Sequence, residues 1–446
     1  MTDVQLSWDV AAIAVAVNGQ LVGESDHMVQ HVVTDSRQDV AEGLFIAIVG
    51  ERFDGHAYAE SALEAGAVAV VVEVGAGVQA TPRIEVASTG DALRALGVKR
   101  RDELAVPVIA ITGSTGKTST KDLLAAGIEG SWSSPRSFNN EIGVPLTVLG
   151  TPSDASALIV EVGSRGRGHI NWLAQVVQPD VAIITNLGVV HLETFGTKAG
   201  LADAKFELVE ALKPGGVAIL PVSESTLVAR RADQIVTFGE AGADVEVDHI
   251  ETDENGLPSF TLRTPSDTYA VTLPLAGAHN AVNTAAALAA AVSIGVDARA
   301  FIERLDAVTG SAWRMEVHPG RYTVVNDAYN ANPQSMASAL KTVAAMGGRT
   351  FAVLGAMAEL GSVCEEEHMA AGQLAQELGY EQLIVVGPDH GYAPGFGGEA
   401  LKAATIEDAA NTLAVIIEPG DVVLVKASRS AGLERLAHRL IEDSES

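Results

Sequence analysis

The chain has a single cysteine, Cys364, among its 446 residues, so it cannot form a disulfide within itself. A lone cysteine is typical of proteins from reducing compartments, and it excludes the small secreted folds that disulfides hold together. The N-terminal segment MTDVQLSWDV has neither the basic region nor the apolar core of a signal peptide. These absences predict a cytoplasmic protein.

Positive charge is also scarce. Lys and Arg total 29 against 57 Asp and Glu, which gives a formal charge of −28 at pH 7. Because such a surface repels nucleic-acid phosphates and anionic lipid, neither is expected as a partner. The longest stretch without a formal charge, residues 269–296, contains His279, Asn280 and Asn283 and is rich in alanine. It predicts a strand end and a buried helix, not a membrane span.

Length and strand pattern predict three domains. Residues 1–105 contain short β-rich runs such as LFIAIVG and AVAVVVEV, separated by turns. Residues 106–311 contain continuous apolar runs such as PVIAIT and VAIITNLG, which are typical of parallel strands covered on both faces. Residues 312–446 again alternate strands with helices. We therefore expect an α/β protein with a mostly parallel central sheet and a smaller, doubly wound C-terminal sheet.

The segment ITGSTGKTST, residues 111–120, lies between a predicted strand and a predicted helix. It ends like a P-loop but is shorter, because the glycine before Gly116 is Gly113 instead of a residue five positions upstream. A glycine turn aims backbone N–H groups at phosphate, Lys117 reaches the terminal phosphates, and the Thr118 hydroxyl suits Mg²⁺. The alternative is a polar turn with an incidental lysine. The predicted ATP contacts in this loop are Thr112, Gly113, Ser114, Thr115, Gly116, Lys117, Thr118 and Ser119.

Two further residues stand out by their positions. Glu161 ends the apolar strand ALIVEVG, where a carboxylate can meet the Mg²⁺ of a nucleotide, although a strand end can also carry a solvated glutamate. Lys205 lies on the same helical face as Leu201 and Leu208. A lysine on an apolar face must be paired or neutral, or its stem must pack along the helix flank with its head in water.

The shortened loop TGSTGKT resembles that of the Mur ligase family, and so do the segments SFNNEIG, GAHNAVN and NDAYNANP. The resemblance extends along the chain and implies an N-terminal domain for a UDP-substrate, a central P-loop ATPase and a C-terminal α/β domain. It also implies that His191 binds a second metal ion and that Lys205 carries CO₂ as a carbamate. Lys117, Glu161, His191 and Lys205 would then be the catalytic residues, and Thr118, Glu161, His191 and Lys205 the metal ligands.

Within the family, the FNNEIG and YNANP segments favour the members that join D-alanyl-D-alanine to a UDP-N-acetylmuramoyl tripeptide during peptidoglycan synthesis. The implied reaction uses ATP and two Mg²⁺ ions, proceeds through an acyl phosphate and is carried out by a monomer. The implied additional nucleotide contacts are Asn280, Asn283, Arg314, Asp327 and Asn330. The implied substrate contacts are Ser36, Arg37, Asn139 and Asn140.

Three positions depart from the family pattern. Trp313 replaces a glycine before Arg314, Ala356 an aspartate, and Ala427 a glycine. All lie in the predicted C-terminal domain. Trp313 bears on the local backbone and on stacking, and Ala356 and Ala427 bear on the second substrate or on domain closure. A tripeptide-forming Mur ligase, a folylpolyglutamate synthase and a non-catalytic nucleotide switch remain as alternatives. Product formation that requires both co-substrates would distinguish the favoured hypothesis from these alternatives.

Overall fold

The computed structural model describes residues 6–50, 53–135, 137–188, 195, 197–230 and 232–445. Its strands form three large, separate sheets and one small ribbon, and helices cover the sheets. The strands of each large sheet come from only one of the three predicted ranges, which confirms the α/β class with three domains. The boundaries at residues 105 and 311 stay predictions.

The first domain is built on a five-stranded sheet. Its elements are β1 (Trp8–Asp9), α1 (Val10–Ala16), β2 (Gln20–Val22), β3 (Met28–Val29), β4 (His31–Val33), β5 (Gly43–Ile46), α2 (Ala59–Glu64), β6 (Ala69–Glu73), β7 (Arg83–Val86) and α3 (Thr89–Glu103). The sheet order is β2-β7-β6-β5-β4, with only β2 antiparallel to its neighbour. Strands β1 and β3 form the separate antiparallel ribbon.

The central domain carries a nine-stranded sheet. Its elements are β8 (Val108–Thr112), α4 (Lys117–Gly127), β9 (Trp132–Ser133), α5 (Gly143–Leu149), β10 (Leu158–Glu161), α6 (His169–Val177), β11 (Val181–Ile184), α7 (Lys198–Glu210), β12 (Val217–Pro221), α8 (Ser225–Val228), β13 (Gln234–Gly239), β14 (Val245–Thr252), β15 (Pro258–Arg263), β16 (Thr268–Thr272), α9 (His279–Ser293) and α10 (Ala298–Arg304). The order is β16-β15-β14-β13-β12-β11-β8-β10-β9, and the pairs are parallel except for β14 with β15 and β15 with β16.

The C-terminal domain has a six-stranded sheet in the order β17-β18-β22-β19-β20-β21, of which only β17 is antiparallel. Its elements are β17 (Glu316–His318), β18 (Thr323–Asp327), α11 (Pro333–Ala344), β19 (Thr350–Leu354), α12 (Cys364–Glu377), β20 (Gln382–Val386), α13 (Tyr392–Gly395), β21 (Leu401–Ala403), α14 (Ile406–Ile416), β22 (Val422–Lys426) and α15 (Glu434–Glu445).

Alternation along the strands explains why both faces of the parallel sheets are covered. In β8, Ile109 and Ile111 pack into one buried cluster, and Val108 and Ala110 pack into another on the opposite face. Successive side chains of a strand point to opposite faces, so a continuous apolar run needs helices on both. The uncharged stretch predicted as a strand end and a buried helix contains the end of β16 and α9, as expected.

Strand order also determines where a ligand can bind. Strand β8 lies between β10 on one side and β11 on the other, and all three strands are parallel. The connections after these strands leave in opposite directions, so a crevice opens at the carboxyl end of β8. The phosphate loop lies there, between β8 and α4. Among the helices of the described residues, none combines the length and the apolarity that crossing a bilayer requires.

Candidate active site

The loop between β8 and α4 depends on two glycines. Gly113 has a φ of +151° and Gly116 a φ of +79°, which side chains rarely adopt. A Cβ atom on Gly113 would collide with the Thr185 hydroxyl, and one on Gly116 would lie 2.6 Å from Asn283 Oδ1. The loop therefore passes close to its neighbours with bare backbone, and α4 begins at Lys117 with its first N–H groups facing the crevice.

Asn186, which follows β11, holds this loop from the side. Its Oδ1 accepts from the Thr115 N–H at 3.1 Å, and its Nδ2 donates to Thr115 Oγ1 at 2.7 Å. Its backbone oxygen accepts from Ser114 N–H at 3.3 Å. Asn186 was not predicted, although a polar residue just beyond the end of an apolar parallel strand is a signal for the binding edge of a sheet.

A carboxylate and a hydroxyl meet below the loop. Thr118 Oγ1 donates to Glu161 Oε2 at 2.8 Å, and Asn139 Nδ2 donates to Glu161 Oε1 at 2.7 Å. Glu161 is 1% exposed. The sequence predicted the roles of these three residues separately, and the structure brings them together at the end of β10.

Two lysines converge on one carbonyl oxygen. Lys117 Nζ donates to Gly113 O at 2.8 Å, and Lys205 Nζ donates to the same oxygen at 3.2 Å. Burial lowers the pKa of Lys117, with Arg314 adding to the effect and Glu161 opposing it. Burial and then the charge of Lys117 hold the pKa of Lys205 well below its usual value. Lys205 is buried on α7 as its place on the apolar face predicted, beside another cation.

The C-terminal domain supplies the opposite wall. Lys426 Nζ pairs with Asp327 Oδ2 at 2.5 Å and donates to Asn330 O at 3.0 Å. Arg314 reaches across to the central domain, where its Nη2 donates to Ser137 Oγ at 3.1 Å. Lys426 ends β22 and Ser137 lies in the loop before α5. Neither was predicted, because nothing in the spacing of the sequence around them distinguishes them.

Between the two walls lies a cleft of about 520 Å³, large enough for a nucleotide. Its polar end is the phosphate loop, and its other end is formed by Pro221, Phe238 and Gly239 at the ends of β12 and β13. Of the predicted nucleotide contacts, those that line the cleft are Ser114, Thr115, Gly116, Lys117, Thr118, Ser119, Asn280, Asn283, Arg314, Asp327 and Asn330.

Further contacts join the two domains across the cleft. Thr115 Oγ1 donates to Gln334 Oε1 at 3.4 Å, and His279 Nδ1 lies 2.9 Å from Ser338 Oγ. Burial lowers the pKa of His279, which disfavours the protonated ring. These pairs place the start of α11 against the phosphate loop.

Other predicted residues lie elsewhere. Thr112 is buried in β8, and Asn140 accepts from the backbone of Gly143 at 2.8 Å and so shapes the start of α5. Arg37 is exposed on the first domain and forms a two-bond pair with Asp35, with Ser36 between them. Neither Ser36 nor Arg37 lines the cleft.

The predicted second metal ligand, His191, lies outside the described residues. Within the described part of the chain, no group of three or more histidine, cysteine, aspartate or glutamate side chains is arranged to hold a metal ion.

Family models match three consecutive parts of the chain. The "Mur ligase family, catalytic domain" model matches residues 28–112, the "Mur ligase middle domain" model residues 111–291, and the "Mur ligase, glutamate ligase domain" model residues 313–429. The chain belongs to the Mur ligase family. The matches follow the three sheets, and the phosphate loop begins the middle one.

This Mur ligase also has relatives of its full length. It is 33% identical to the UDP-N-acetylmuramoyl-tripeptide–D-alanyl-D-alanine ligase of Escherichia coli K12, across 96% of this chain and 97% of that one. It is 36% identical to the enzyme of the same name from Mycobacterium leprae, across 97% and 98%.

Solved structures agree with the sequence relatives. A MurF from Acinetobacter baumannii aligns with a TM-score of 0.88 and 30% identity, across 98% of this Mur ligase and 100% of that chain. A Thermotoga maritima MurF ligase in complex with ADP aligns with a TM-score of 0.82 and 28% identity, across 94% and 99%. A folylpolyglutamate synthase from Mycobacterium tuberculosis, at 19% identity and a TM-score of 0.64, shares the fold.

Proposed function

We propose that this Mur ligase joins D-alanyl-D-alanine to a UDP-N-acetylmuramoyl tripeptide at the expense of ATP, as a step of peptidoglycan synthesis in the cytoplasm. The observation that carries the proposal is the cleft between the phosphate loop and the Asp327–Lys426 wall. Full-length relatives above 30% identity bear the name of this activity, whereas the folylpolyglutamate synthase shares only the fold.

The reaction balances in two steps. An oxygen of the tripeptide's terminal carboxylate attacks the γ-phosphorus of ATP, and the bond from that phosphorus to the ADP oxygen breaks. The amine nitrogen of D-alanyl-D-alanine then attacks the carboxyl carbon of the acyl phosphate. The carbon–oxygen bond to phosphate breaks, and the amine loses a proton to water.

The residues of the cleft act mainly on charge. The first step brings an anion to a polyanion, so the site must supply positive potential where negative charge accumulates. The N–H groups at the start of α4 face the phosphates, and Lys117 would leave Gly113 O for the γ-phosphate. Arg314 and Lys426 approach from the other domain. Closure of the C-terminal domain over the cleft would exclude water from a phosphorylated intermediate that water would hydrolyse.

The residues around Glu161 fit a magnesium ion. Mg²⁺ prefers oxygen ligands and is commonly held by one or two protein groups, with water and phosphate completing the octahedron. Glu161 and Thr118 offer such oxygens next to the phosphate loop, and Asn139 fixes the carboxylate. When bound, the ion would polarise the γ-phosphate oxygens. A second ion at His191 stays part of the proposal.

We assign Lys205 as the residue that carries CO₂. Its amine is buried and donates to Gly113 O beside a second lysine, and this burial and this neighbouring charge lower its pKa, which shifts the equilibrium towards the neutral amine that CO₂ requires. The nitrogen lone pair attacks the carbon of CO₂ and an N–H proton passes to water, which leaves a carbamate anion beside Lys117. Carbon-13 NMR after exposure to labelled bicarbonate would detect that carbamate. Failure to observe it would remove Lys205 from the metal-binding role.

We assign the substrate contacts from the positions of the residues in the structure. We assign Asn139, and Asn140 beside it, to the sugar-peptide, because Asn139 lies at the cleft next to Glu161. We assign Ser36 and Arg37 of the first domain to the uridine diphosphate, which Arg37 would reach by exchanging Asp35 for phosphate. The enzyme acts as a monomer in this proposal.

The test is product formation. Phosphate release from ATP is measured with the UDP-muramoyl tripeptide in the presence and absence of D-alanyl-D-alanine, and the nucleotide product is weighed by mass spectrometry. Release that requires both, with a product heavier by the dipeptide less water, is the expected result. Release that ignores the dipeptide would contradict the proposal and favour a nucleotide switch.

Matched variants connect the activity to the site. Lys117→Met should abolish phosphate release, since it removes the cation at the phosphate loop. Lys341→Met, on α11 outside the cleft lining, should leave it unchanged.

A further inference from the structure

Arg314 lies between two residues whose backbone is strained. Trp313 has a φ of +61° and Met315 a φ of +50°, the left-handed region that large side chains avoid. Strain of this kind persists only where surrounding contacts impose it, and it concentrates at functional sites.

Hydrogen bonds from the C-terminal domain impose this conformation. Trp313 N–H donates to Glu316 Oε2 at 2.8 Å, and Trp313 O accepts from Tyr329 N–H at 3.1 Å. Met315 N–H donates to Asp327 Oδ1 at 3.2 Å. The backbone on both sides of Arg314 is therefore attached to residues that line or border the cleft.

The side chains continue the same arrangement. The Arg429 guanidinium lies 4.2 Å from the centre of the Trp313 ring and 5.9 Å from that of Tyr329. The Arg314 guanidinium lies 4.2 Å from the Tyr329 ring on the cleft side. Trp313 also meets His438 of α15 edge-on at 6.3 Å. Cations and rings thus alternate in an aromatic ladder of Trp313, Arg429, Tyr329 and Arg314.

At the inner end of the ladder, the Arg314 guanidinium has a hydrogen-bond donor that could bind an anion. Arg314 donates from Nη2 to Ser137, but its Nε is buried with no hydrogen-bond partner among the described residues. A buried donor without a partner is costly, and an anion in the cleft would satisfy it. Trp313 and Arg429 do not line the cleft, so any effect they have on a nucleotide must pass through Tyr329 and Arg314.

We propose that Trp313 is a positioning residue, which, with Arg429, holds Arg314 against the phosphates of the bound nucleotide through the aromatic ladder. The inference rests on the proposed ATP-dependent function and extends it to a tryptophan that stands where the family pattern has glycine. The Trp313 ring stacks on Arg429, a contact that a glycine at this position could not make.

The decisive variant is Trp313→Gly, because glycine accepts a φ of +61° without strain, so the backbone on both sides of Arg314 can keep its conformation when the ring is removed. An exposed cation–π contact corresponds to about two- to five-fold in affinity. We expect Trp313→Gly to raise the Kd for ADP and the KM for ATP by about that factor, with the KM for D-alanyl-D-alanine unchanged. Trp313→Phe, which keeps a ring face, should behave like the parent protein.

A double variant tests whether the ladder is one unit. Arg429→Met should have the same effect as Trp313→Gly, and combining the two should add nothing, because both remove the same stack. Thermal melting controls for general damage, since a purely structural role would change Tm and leave the KM for ATP as it was.

Calorimetry with ADP keeps the two proposals apart, because it needs no ligation. If the parent protein binds no ADP, the proposed function fails. If the parent binds ADP and ligates, but Trp313→Gly has the same Kd and KM, the positioning role of Trp313 is wrong. Additive effects of Trp313→Gly and Arg429→Met would also overturn the ladder.

Discussion

The buried pair between Lys426 and Asp327 allows a quantitative prediction. Lys426 is 1% exposed and Asp327 is 8% exposed, and their charged atoms lie 2.5 Å apart. Lys426→Met keeps most of the stem volume and removes the cation, so Asp327 is left as a buried charge. Removing one partner of such a pair typically costs about 3–5 kcal/mol. Asp327 keeps the N–H of Met315 and borders the open cleft, so we expect the lower end, about 3 kcal/mol.

The double variant Asp327→Asn with Lys426→Met distinguishes the loss of the ion pair from the cost of leaving one uncompensated charge buried. With both charges gone, no uncompensated ion remains, and the double variant should be more stable than Lys426→Met alone by about 1–2 kcal/mol. Lys402→Met is the matched control, because Lys402 is 63% exposed and pairs with Asp389 on the surface. Exposed pairs contribute about 0–1 kcal/mol, so this change should be small.

The assay must report on the C-terminal domain, because a three-domain chain does not unfold in one step. Native-state hydrogen exchange of the β18 and β22 amides gives the free energy of opening of the sheet that carries both residues. A loss below about 1 kcal/mol in Lys426→Met, or a double variant less stable than that single one, would refute the reasoning about buried charge.

Three further predictions concern the loop, the carbamate site and the first domain. Gly116→Ala should weaken ADP binding at least about tenfold in calorimetry, because its Cβ meets Asn283 at 2.6 Å and its φ of +79° is strained. Lys205→Met should abolish ligation but stabilise the nucleotide-free protein at neutral pH in CO₂-free buffer. Because the pKa of Lys205 is lower in the folded protein, the unfolded chain binds more protons, and the stability of the parent protein rises with pH. Thermal melts of Lys205→Met should lack that rise. Arg37→Ala should raise the pKa of Asp35 from about 2 towards its usual value near 4 in an NMR titration. Because the pKa of Asp35 is lower in the folded than in the unfolded protein, the small stabilisation by the pair is present above about pH 4 and is lost as the pH falls towards 2.

The first two of these have matched control variants, and the third has an outcome that would contradict it. Gly347→Ala adds a methyl group where no atom lies within 4 Å of it, and should leave ADP binding unchanged. Lys198→Met changes an exposed lysine of the same helix as Lys205, and should alter neither activity nor the pH dependence of melting. An unchanged Asp35 titration in Arg37→Ala would show that the backbone N–H of residue 37, not the guanidinium, sets that pKa.

The fold was largely predictable because the strands are apolar on both faces. A run such as Val108–Thr112 permits few arrangements other than a covered parallel strand, and glycines in the following turn mark a phosphate loop. Strand order was not predictable, since pairing depends on contacts between distant segments. The antiparallel pair β15 and β16 at the sheet edge, for example, lacks the continuous apolar pattern.

The site was predictable where one residue has one unusual property. Lys205 was recognised as a lysine on an apolar face, and Glu161 as a charge at a strand end. Asn186, Ser137 and Lys426 were missed because their roles depend on contacts between distant parts of the chain. The hydrogen-bond partners described above lie between 71 and 177 positions away, and local pattern carries no information on such contacts.

The cleft has walls that belong to separate hydrophobic cores, one in the central domain and one in the C-terminal domain. We therefore expect inactivation and unfolding to be different events in this protein. Heating that merely loosens the contact between the domains removes the working site while both cores stay intact, so activity should disappear at a lower temperature than the melting transition. A nucleotide that touches both walls ties them together, and by mass action it brings the two temperatures closer.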